Sequence, residues 1–303
     1  MSTKSSFSSP AVLYFGIDGF REILTQYFPK TAEELASGKQ IMVRFNELLD
    51  TLDLDTQKKV YDILEQKFID FQKIFLEEAR EFDPDVDLSD DRYLWGPGDQ
   101  KERCVRRIEE IYQGRTGEII FYGPSNITYW YSLEKDMEPW KAQNHGMGGC
   151  TDPDMIQYAE RLLYPFKPRA VLFQTGSNDL AMGMTPLQIL HNKEKMYAEF
   201  LANMPQADLI IMSGLPLPNR TIFWKDTVKT NEYLKEMCDK HERLHFLDAS
   251  EKMLTDHGED RYRMYDGSYA NPALFRADGI HLNVKGHEVW TALQKQMLKD
   301  LGI

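Results

Sequence analysis

Long apolar runs are missing from this sequence. No stretch approaches the roughly 20 residues that a membrane-spanning helix needs. The opening segment Met1–Pro10 is polar and serine-rich, without the apolar core of a secretory leader. The expectation is a cytoplasmic protein with no membrane partner. Cysteine is scarce as well: Cys104, Cys150 and Cys238 are odd in number, far apart and free of any CxxC or Cys/His spacing. That predicts reduced thiols and argues against a disulfide framework or a zinc site. An excess of basic residues is also lacking. The formal net charge of −12 opposes binding to nucleic acid or anionic lipid, because both attractions depend on clustered Lys and Arg. Neutral partners are favoured. Internal repeats and long low-complexity tracts are not evident, so neither a solenoid nor a linker-separated array is indicated.

What is present is the composition of a soluble globular chain. The 303 residues are 42% hydrophobic and 28% charged, which suffices for a sizeable core in one large domain or in one domain with an extension. A change of period near residue 115 favours the second arrangement. From Asp55 to Phe82 the apolar residues Val60, Leu64, Phe68, Phe71, Phe75, Ala79 and Phe82 recur at spacings of three and four, which predicts a long amphipathic helix. Shorter helical patterns fall at Gly19–Phe28, Ile41–Leu52 and Asp99–Tyr112, and Asp83–Gly98 is acidic with a Pro-Gly break. Residues 1–115 are therefore expected to form a mainly helical extension. Its apolar stripe is expected to pack on the following domain by default; contact with a second subunit in a homo-oligomer, or a position over a substrate cleft, are the alternatives.

After Gly117 short apolar runs alternate with helical patterns. Ile119–Tyr122, Ala170–Gln174, Leu209–Met212 and Leu244–Leu247 read as strands, with a weaker signal near Lys141–Asn144. Helices are expected at Asp154–Leu163, Pro186–Asn203, Asp226–His241 and Val284–Leu301. The start of one is sharply marked, because Thr185, Pro186 and Gln188 supply an N-cap, a first-turn proline and a capping-box partner. Residues 116–303 thus predict an α/β domain: a three-layer α/β/α sandwich around a parallel, flavodoxin-like sheet.

Open parallel sheets hold their active sites where strands end and loops lead into helices, and four such junctions here carry reactive groups. In Gly123-Pro124-Ser125-Asn126 a strand runs into a serine at a helix start, where the amides favour developing negative charge. Alone, that serine reads as an ordinary N-cap. Asn144–Pro153 is a glycine-rich turn whose backbone N–H groups can approach a ligand closely. Gly176-Ser177-Asn178-Asp179 follows an apolar strand and offers a side-chain amide. Asp278-Gly279-Ile280-His281 places a carboxylate three residues before an imidazole, a spacing that lets the acid orient the base. Each feature alone is commonplace. Together they supply a nucleophile, two kinds of oxyanion donor and an oriented base.

These blocks, in this order, resemble those of the SGNH/GDSL hydrolase family, over roughly the last three-fifths of the chain. The resemblance implies Ser125 as nucleophile, His281 as general base and acid, and Asp278 as its orienting partner. It also implies an oxyanion hole formed by the Ser125 and Gly149 amides and the Asn178 side chain. The reaction implied is two-step acyl transfer from an ester, with no cofactor. One departure stands out: Pro124 occupies the position where the family commonly has Asp, removing a side-chain acceptor and a backbone N–H while fixing φ. The geometry of the nucleophile turn is therefore open, as is any close substrate analogy.

For the substrate, Tyr129, Trp130, Trp140 and Trp224 offer aromatic surface, and the last three are candidates for a sugar-binding platform, although packing is the ordinary role of each. With the acidic charge, this favours deacetylation of an acylated carbohydrate, the substrate being a small-molecule or oligosaccharide ester. A lipid or aryl esterase, a lysophospholipase and an acyltransferase are the alternatives on the same machinery. His287 reads as a surface or packing residue and His145 as shaping the glycine loop. His191, His241, His245 and His257 show no metal-ligand spacing, so no metal is expected.

Overall fold

The computed structural model describes residues 23, 25–27, 49–93 and 100–303. Of the two earliest helical patterns, Ile23, Thr25–Tyr27 and Leu49–Leu52 fall within the described residues; Ile23, Thr25–Tyr27 and Leu49 are helical, and Asp50–Leu52 form a turn and bend. The long amphipathic stretch forms α1, Leu54–Phe82. It starts where the Asp53 carboxylate accepts the Thr56 N–H at 2.9 Å, so the N-cap satisfies a donor that has no partner inside the helix. Val60, Phe75, Ala79 and Phe82 of the apolar stripe are buried. The side chains of Leu64, Phe68 and Phe71 lie outside the described part. Helix α2, Gln100–Ile111, buries Cys104, Val105 and Ile108 in the same apolar cluster as the sheet residues Ile120 and Tyr122.

The sheet has five parallel strands: β1 Ile119–Gly123, β2 Ala142–Gly146, β3 Ala170–Phe173, β4 Asp208–Met212 and β5 Leu244–Leu247. Their order is β2-β1-β3-β4-β5, the doubly wound order in which the direction of winding reverses between β1 and β3. The weakly signalled strand is real and starts at Ala142. It pairs with β1 from Ile119↔Ala142 to Gly123↔Gly146, and its polar residues Gln143, Asn144 and His145 are buried, which is why a reading based on apolar runs nearly misses it.

Helices α3 Asp152–Leu162, α4 Pro186–Asn203, α5 Trp224–Cys238 and α6 Val284–Asp300 complete the frame. Alternation along the strands assigns them to two layers. Ile120, Tyr122, Val171, Phe173, Leu209 and Ile211 pack with α2 to α5. Ile119, Phe121, Leu172, Ile210 and Met212 pack with Trp290 and Leu298 of α6 and with Phe82 of α1. Each fully buried aliphatic residue in these layers contributes about 1.5–3 kcal/mol. At the start of α4 the predicted capping box is present, with Thr185 N–H donating to Gln188 Oε1 at 2.9 Å and Gln188 N–H to Thr185 Oγ1 at 3.3 Å. A small antiparallel pair, β6 Leu254–Thr255 with β7 Tyr269–Ala270, has no strong pattern in the sequence. No helix among the described residues is long and apolar enough to cross a membrane.

Candidate active site

At the point where the strand order reverses, β1 and β3 end side by side, and the loops leaving them diverge to opposite layers. A cleft at such a switch point is the usual ligand position in an open α/β sheet. Ser125 opens a single helical turn, Ser125–Thr128, directly after β1. Pro124 precedes it with φ −78°, a value proline adopts freely, and its carbonyl accepts the N–H groups of Ile127 and Thr128 at 2.9 and 3.2 Å. The Asp-to-Pro departure is therefore accommodated without distortion of the turn. Gly146, at the end of β2, lets that turn seat directly on the sheet. A Cβ there would lie 2.2 Å from the Thr128 nitrogen and 2.7 Å from the Ile127 carbonyl carbon.

The Ser125 hydroxyl lies 2.6 Å from His281 Nε2. On the other side of the imidazole, Nδ1 contacts the Asp278 carboxylate. All three residues are at least nine-tenths buried. Asp278 is oriented by its own turn, since its Oδ1 accepts the N–H groups of Ile280 and His281 at 2.9 and 3.0 Å. Burial pushes the pKa of Asp278 up, but the charge and hydrogen bonds of His281 and the amides of the turn outweigh it and hold the carboxyl below its ordinary value. The group is thus an anion beside the imidazole, as needed to stabilise an imidazolium.

The segments that carry Gly149 and Asn178 are brought together after β2 and β3, where Asn178 bonds to Cys150. Gly149 has φ +73° in a turn closed by Cys150 N–H donating to Met147 O at 3.1 Å, a conformation that favours glycine. Asn178 Nδ2 donates to Cys150 O at 3.0 Å, and Asn178 Oδ1 accepts from Arg220 at 3.4 Å. A primary amide carries two N–H donors, so this arrangement fixes the plane of the side chain through one donor and its oxygen. Arg220, itself buried, also donates to Ser177 Oγ at 2.7 Å.

Several supporting residues escape sequence reasoning. Asn126 accepts the Leu282 N–H at 2.9 Å and so ties the serine turn to the Asp-x-x-His turn. Asn219 bonds to the Asp278 carbonyl, and Asn144 Nδ2 donates to Ile127 O at 2.7 Å. Asn126 and Asn144 stand inside quoted blocks, where proximity to the motif is a usable signal. Asn219 and Arg220 are joined to the site only by the fold.

The three tryptophans are not brought to Ser125 as open stacking faces, which corrects their expected substrate role. Trp130 is fully buried against Phe121 and His287, and its N–H donates to Asp136 at 2.7 Å. Trp140 precedes β2 at the opposite end of the sheet and donates to the Ile303 carbonyl at 2.7 Å. Trp224 packs with Met264 and Ala270 and bonds to Asp266 at 3.0 Å. Cys150 is buried, and burial raises its pKa well above the ordinary thiol value, so it remains a neutral thiol. His145 sits in the core with Nδ1 2.6 Å from Leu162 O, and burial lowers its pKa to about 3. His287 is a core residue, packed on Trp130. Among the described residues no group of three or more His, Cys, Asp or Glu side chains is placed to hold a metal ion.

This fold and this junction chemistry define a protein of the acylhydrolase class. The chain belongs to the GDSL-like Lipase/Acylhydrolase family, whose model matches residues 110–289. Among solved structures it is similar to a Streptococcus pneumonia protein described as a platelet activating factor, with TM-score 0.55 and 18% identity, over 65% of this chain and 92% of that one. It is also similar to a Bacteroides fragilis protein described as an acylhydrolase, with TM-score 0.53 and 18% identity, over 65% of this chain and 95% of that one. At such identity the likeness is one of fold. No curated protein matches the sequence.

Proposed function

We propose that this acylhydrolase is a serine esterase in which Ser125, His281 and Asp278 act as the triad. The observation that carries the reading is the hydrogen-bonded chain from Ser125 Oγ to His281 Nε2 at 2.6 Å and on through Nδ1 to Asp278. In the first step Ser125 Oγ attacks the ester carbonyl while its proton passes to Nε2. The tetrahedral oxyanion is met by the Ser125 and Gly149 amides and by the second N–H of Asn178. Its collapse breaks the bond to the alcohol, which takes the proton from Nε2. Water then repeats the sequence on the acyl-enzyme and releases the acid. Asp278 keeps the Nδ1–H tautomer in place and stabilises the imidazolium.

For the substrate we propose a short acyl ester, acetyl foremost, on a neutral alcohol such as a carbohydrate hydroxyl. The net charge of −12 supports a neutral alcohol over an anionic lipid surface. A second reading, an aryl or lipid ester, is favoured by the rings of Phe75 and Tyr129, which pack 5.0 and 5.4 Å from that of His281 and give the site apolar surroundings. The test pairs acetylated oligosaccharides with p-nitrophenyl esters of graded chain length, together with fluorophosphonate labelling of wild type and S125A. Covalent label on Ser125 and the highest kcat/KM for acetyl support the first reading. A kcat/KM rising steadily to octanoyl supports the second, and equal labelling of S125A rejects the triad.

A further inference from the structure

Close to the oxyanion side of the site, the core holds a charged group that the reaction above does not use. Lys193 stands within an otherwise apolar face of α4, with Ile189, Met196, Tyr197 and Phe200, and all five are buried. An aliphatic residue is the usual occupant of such a position. Its ammonium meets the Asp152 carboxylate, with the two side chains 1% and 0% exposed. Asp152 Oδ1 also accepts from Thr175 Oγ1 at 2.6 Å, and the Asp152 N–H donates to Asp179 Oδ1 at 3.0 Å. The second oxygens, Asp152 Oδ2 and Asp179 Oδ2, are buried without a hydrogen-bond partner.

Stability does not account for this arrangement. A buried ion pair is often matched or bettered by packed apolar side chains of similar volume, and two carboxyl groups against one lysine make the balance worse. One proton on the carboxyl pair restores neutrality. In accord with this, burial and the neighbouring Asp152 raise the pKa of Asp179 to about 7 against the pull of Lys193. The cluster spans the two segments that carry oxyanion donors. Asp152 follows Gly149 by three residues, and Asp179 follows Asn178 directly. The loop from Gly149 to Asp152 is fastened at Cys150 O by Asn178 and at Asp152 by Lys193, Thr175 and Asp179.

We propose that Lys193, Asp152 and Asp179 are positioning residues for acyl transfer. They fix the Gly149 amide and the Asn178 side chain at the separation an oxyanion requires, with a proton carried by Asp179. The inference rests on the Ser125 reading above. Loss of that proton places a second anion in a dry core, and repulsion between Asp152 and Asp179 strains the junction of the two donor segments. The other titratable groups facing the cluster are Tyr197 from α4 and Cys150 from the glycine loop. Burial first of all raises both well above their ordinary values, so both stay neutral while Asp179 titrates.

The test measures kcat and KM for p-nitrophenyl acetate on the full chain from about pH 5.5 to about 9, the range in which such a group reports. Wild type, D179N, K193M, the D152N/K193M double variant and S125A are compared. Wild-type kcat should fall on the alkaline side of neutrality with KM little changed. D179N keeps an oxygen acceptor for the Asp152 N–H but has no proton to lose, so its kcat should lack that fall. K193M should lower kcat by at least about tenfold at nearly constant KM, a loss on the scale of a misplaced oxyanion donor. Removing both charges in D152N/K193M should recover most of it. If K193M does not fold, D179N and the double variant carry the comparison. A D179N profile that superimposes on wild type, or a folded K193M with unchanged kcat, overturns the proposal. S125A separates the two levels: turnover retained by S125A sinks the serine reading itself, whereas an inactive S125A beside a wild-type D179N profile sinks only the positioning role.

Discussion

The ring of Phe75, in the long N-terminal helix, lies edge-on to the imidazole of His281 with 5.0 Å between centroids. The helix is fastened there by Arg276, whose guanidinium stacks 3.4 Å from the Phe75 ring centroid and donates to Glu78 at 2.6 Å. The N-terminal third supplies no member of the proposed triad, yet it packs a ring against its histidine. Removal of residues 1–115 should therefore expose the apolar layer beneath α1 and α2 and cause aggregation and loss of esterase activity, although Ser125, Asp278 and His281 all remain. Light scattering and turnover of the Gly117–Ile303 fragment check this. A monodisperse fragment with full activity would show the extension to be dispensable.

Ser125→Ala removes one oxygen from a small buried side chain and should leave the fold intact. Turnover should drop by about 10⁴-fold or more, in line with loss of the nucleophile in other triads. Circular dichroism and initial rates on the same preparation decide it.

Asp278→Asn should keep the turn but favour the wrong imidazole tautomer, with a fall in kcat of about 10⁴-fold. A pH effect on stability accompanies it. Because the folded pKa of Asp278 is held below its ordinary value of 3.8, its contribution to stability is full above that value and is lost as pH falls through the lower folded one. Denaturant titrations of wild type and D278N should accordingly converge in strong acid as that contribution disappears. Curves that stay parallel at every pH would count against a charged Asp278.

Asn178→Ala tests the oxyanion donor. On the proposed reading its second N–H meets the developing charge rather than the ground-state ester, so kcat should fall by about 100- to 1,000-fold with KM nearly constant. A change confined to KM would make Asn178 a substrate-binding residue instead.

Much of this was legible in the sequence, and the reasons are local. Apolar runs marked β1, β3, β4 and β5, and the capping box marked α4, because strand burial and helix starts are encoded within a few residues. The four junction blocks were legible because strand-end chemistry is compressed into short segments. Strand β2 was nearly lost because it buries Gln143, Asn144 and His145. The tryptophans were misjudged because aromatic residues near a motif in sequence are not necessarily near it in space: Trp130 is five residues from Ser125 and points into the core. Asn219, Arg220 and Lys193 could not be found, since each acts through a partner about 40 or more residues away that only the parallel topology brings close.

Gly146 offers a test that touches no reactive group. It ends β2, and the turn carrying Ser125 rests on it so closely that an added methyl would meet the backbone of Thr128 at 2.2 Å from nitrogen and 2.6 Å from Cα. Backbone atoms cannot rotate away as a side chain can, so Gly146→Ala must push the turn outward or bend the end of β2. Overpacking of this kind costs about 1–3 kcal/mol, which is measurable by denaturant unfolding. The larger effect should be kinetic. Displacing Ser125 relative to His281, which is held separately by the Asp278 turn, breaks the 2.6 Å hydrogen bond, and a shift of about 1 Å in a reacting group lowers turnover by about 100-fold. G146A should thus lose far more activity than S177A, whose hydroxyl meets only the flexible end of Arg220. A folded G146A with wild-type kcat would mean that the serine turn is not positioned by its seat on the sheet.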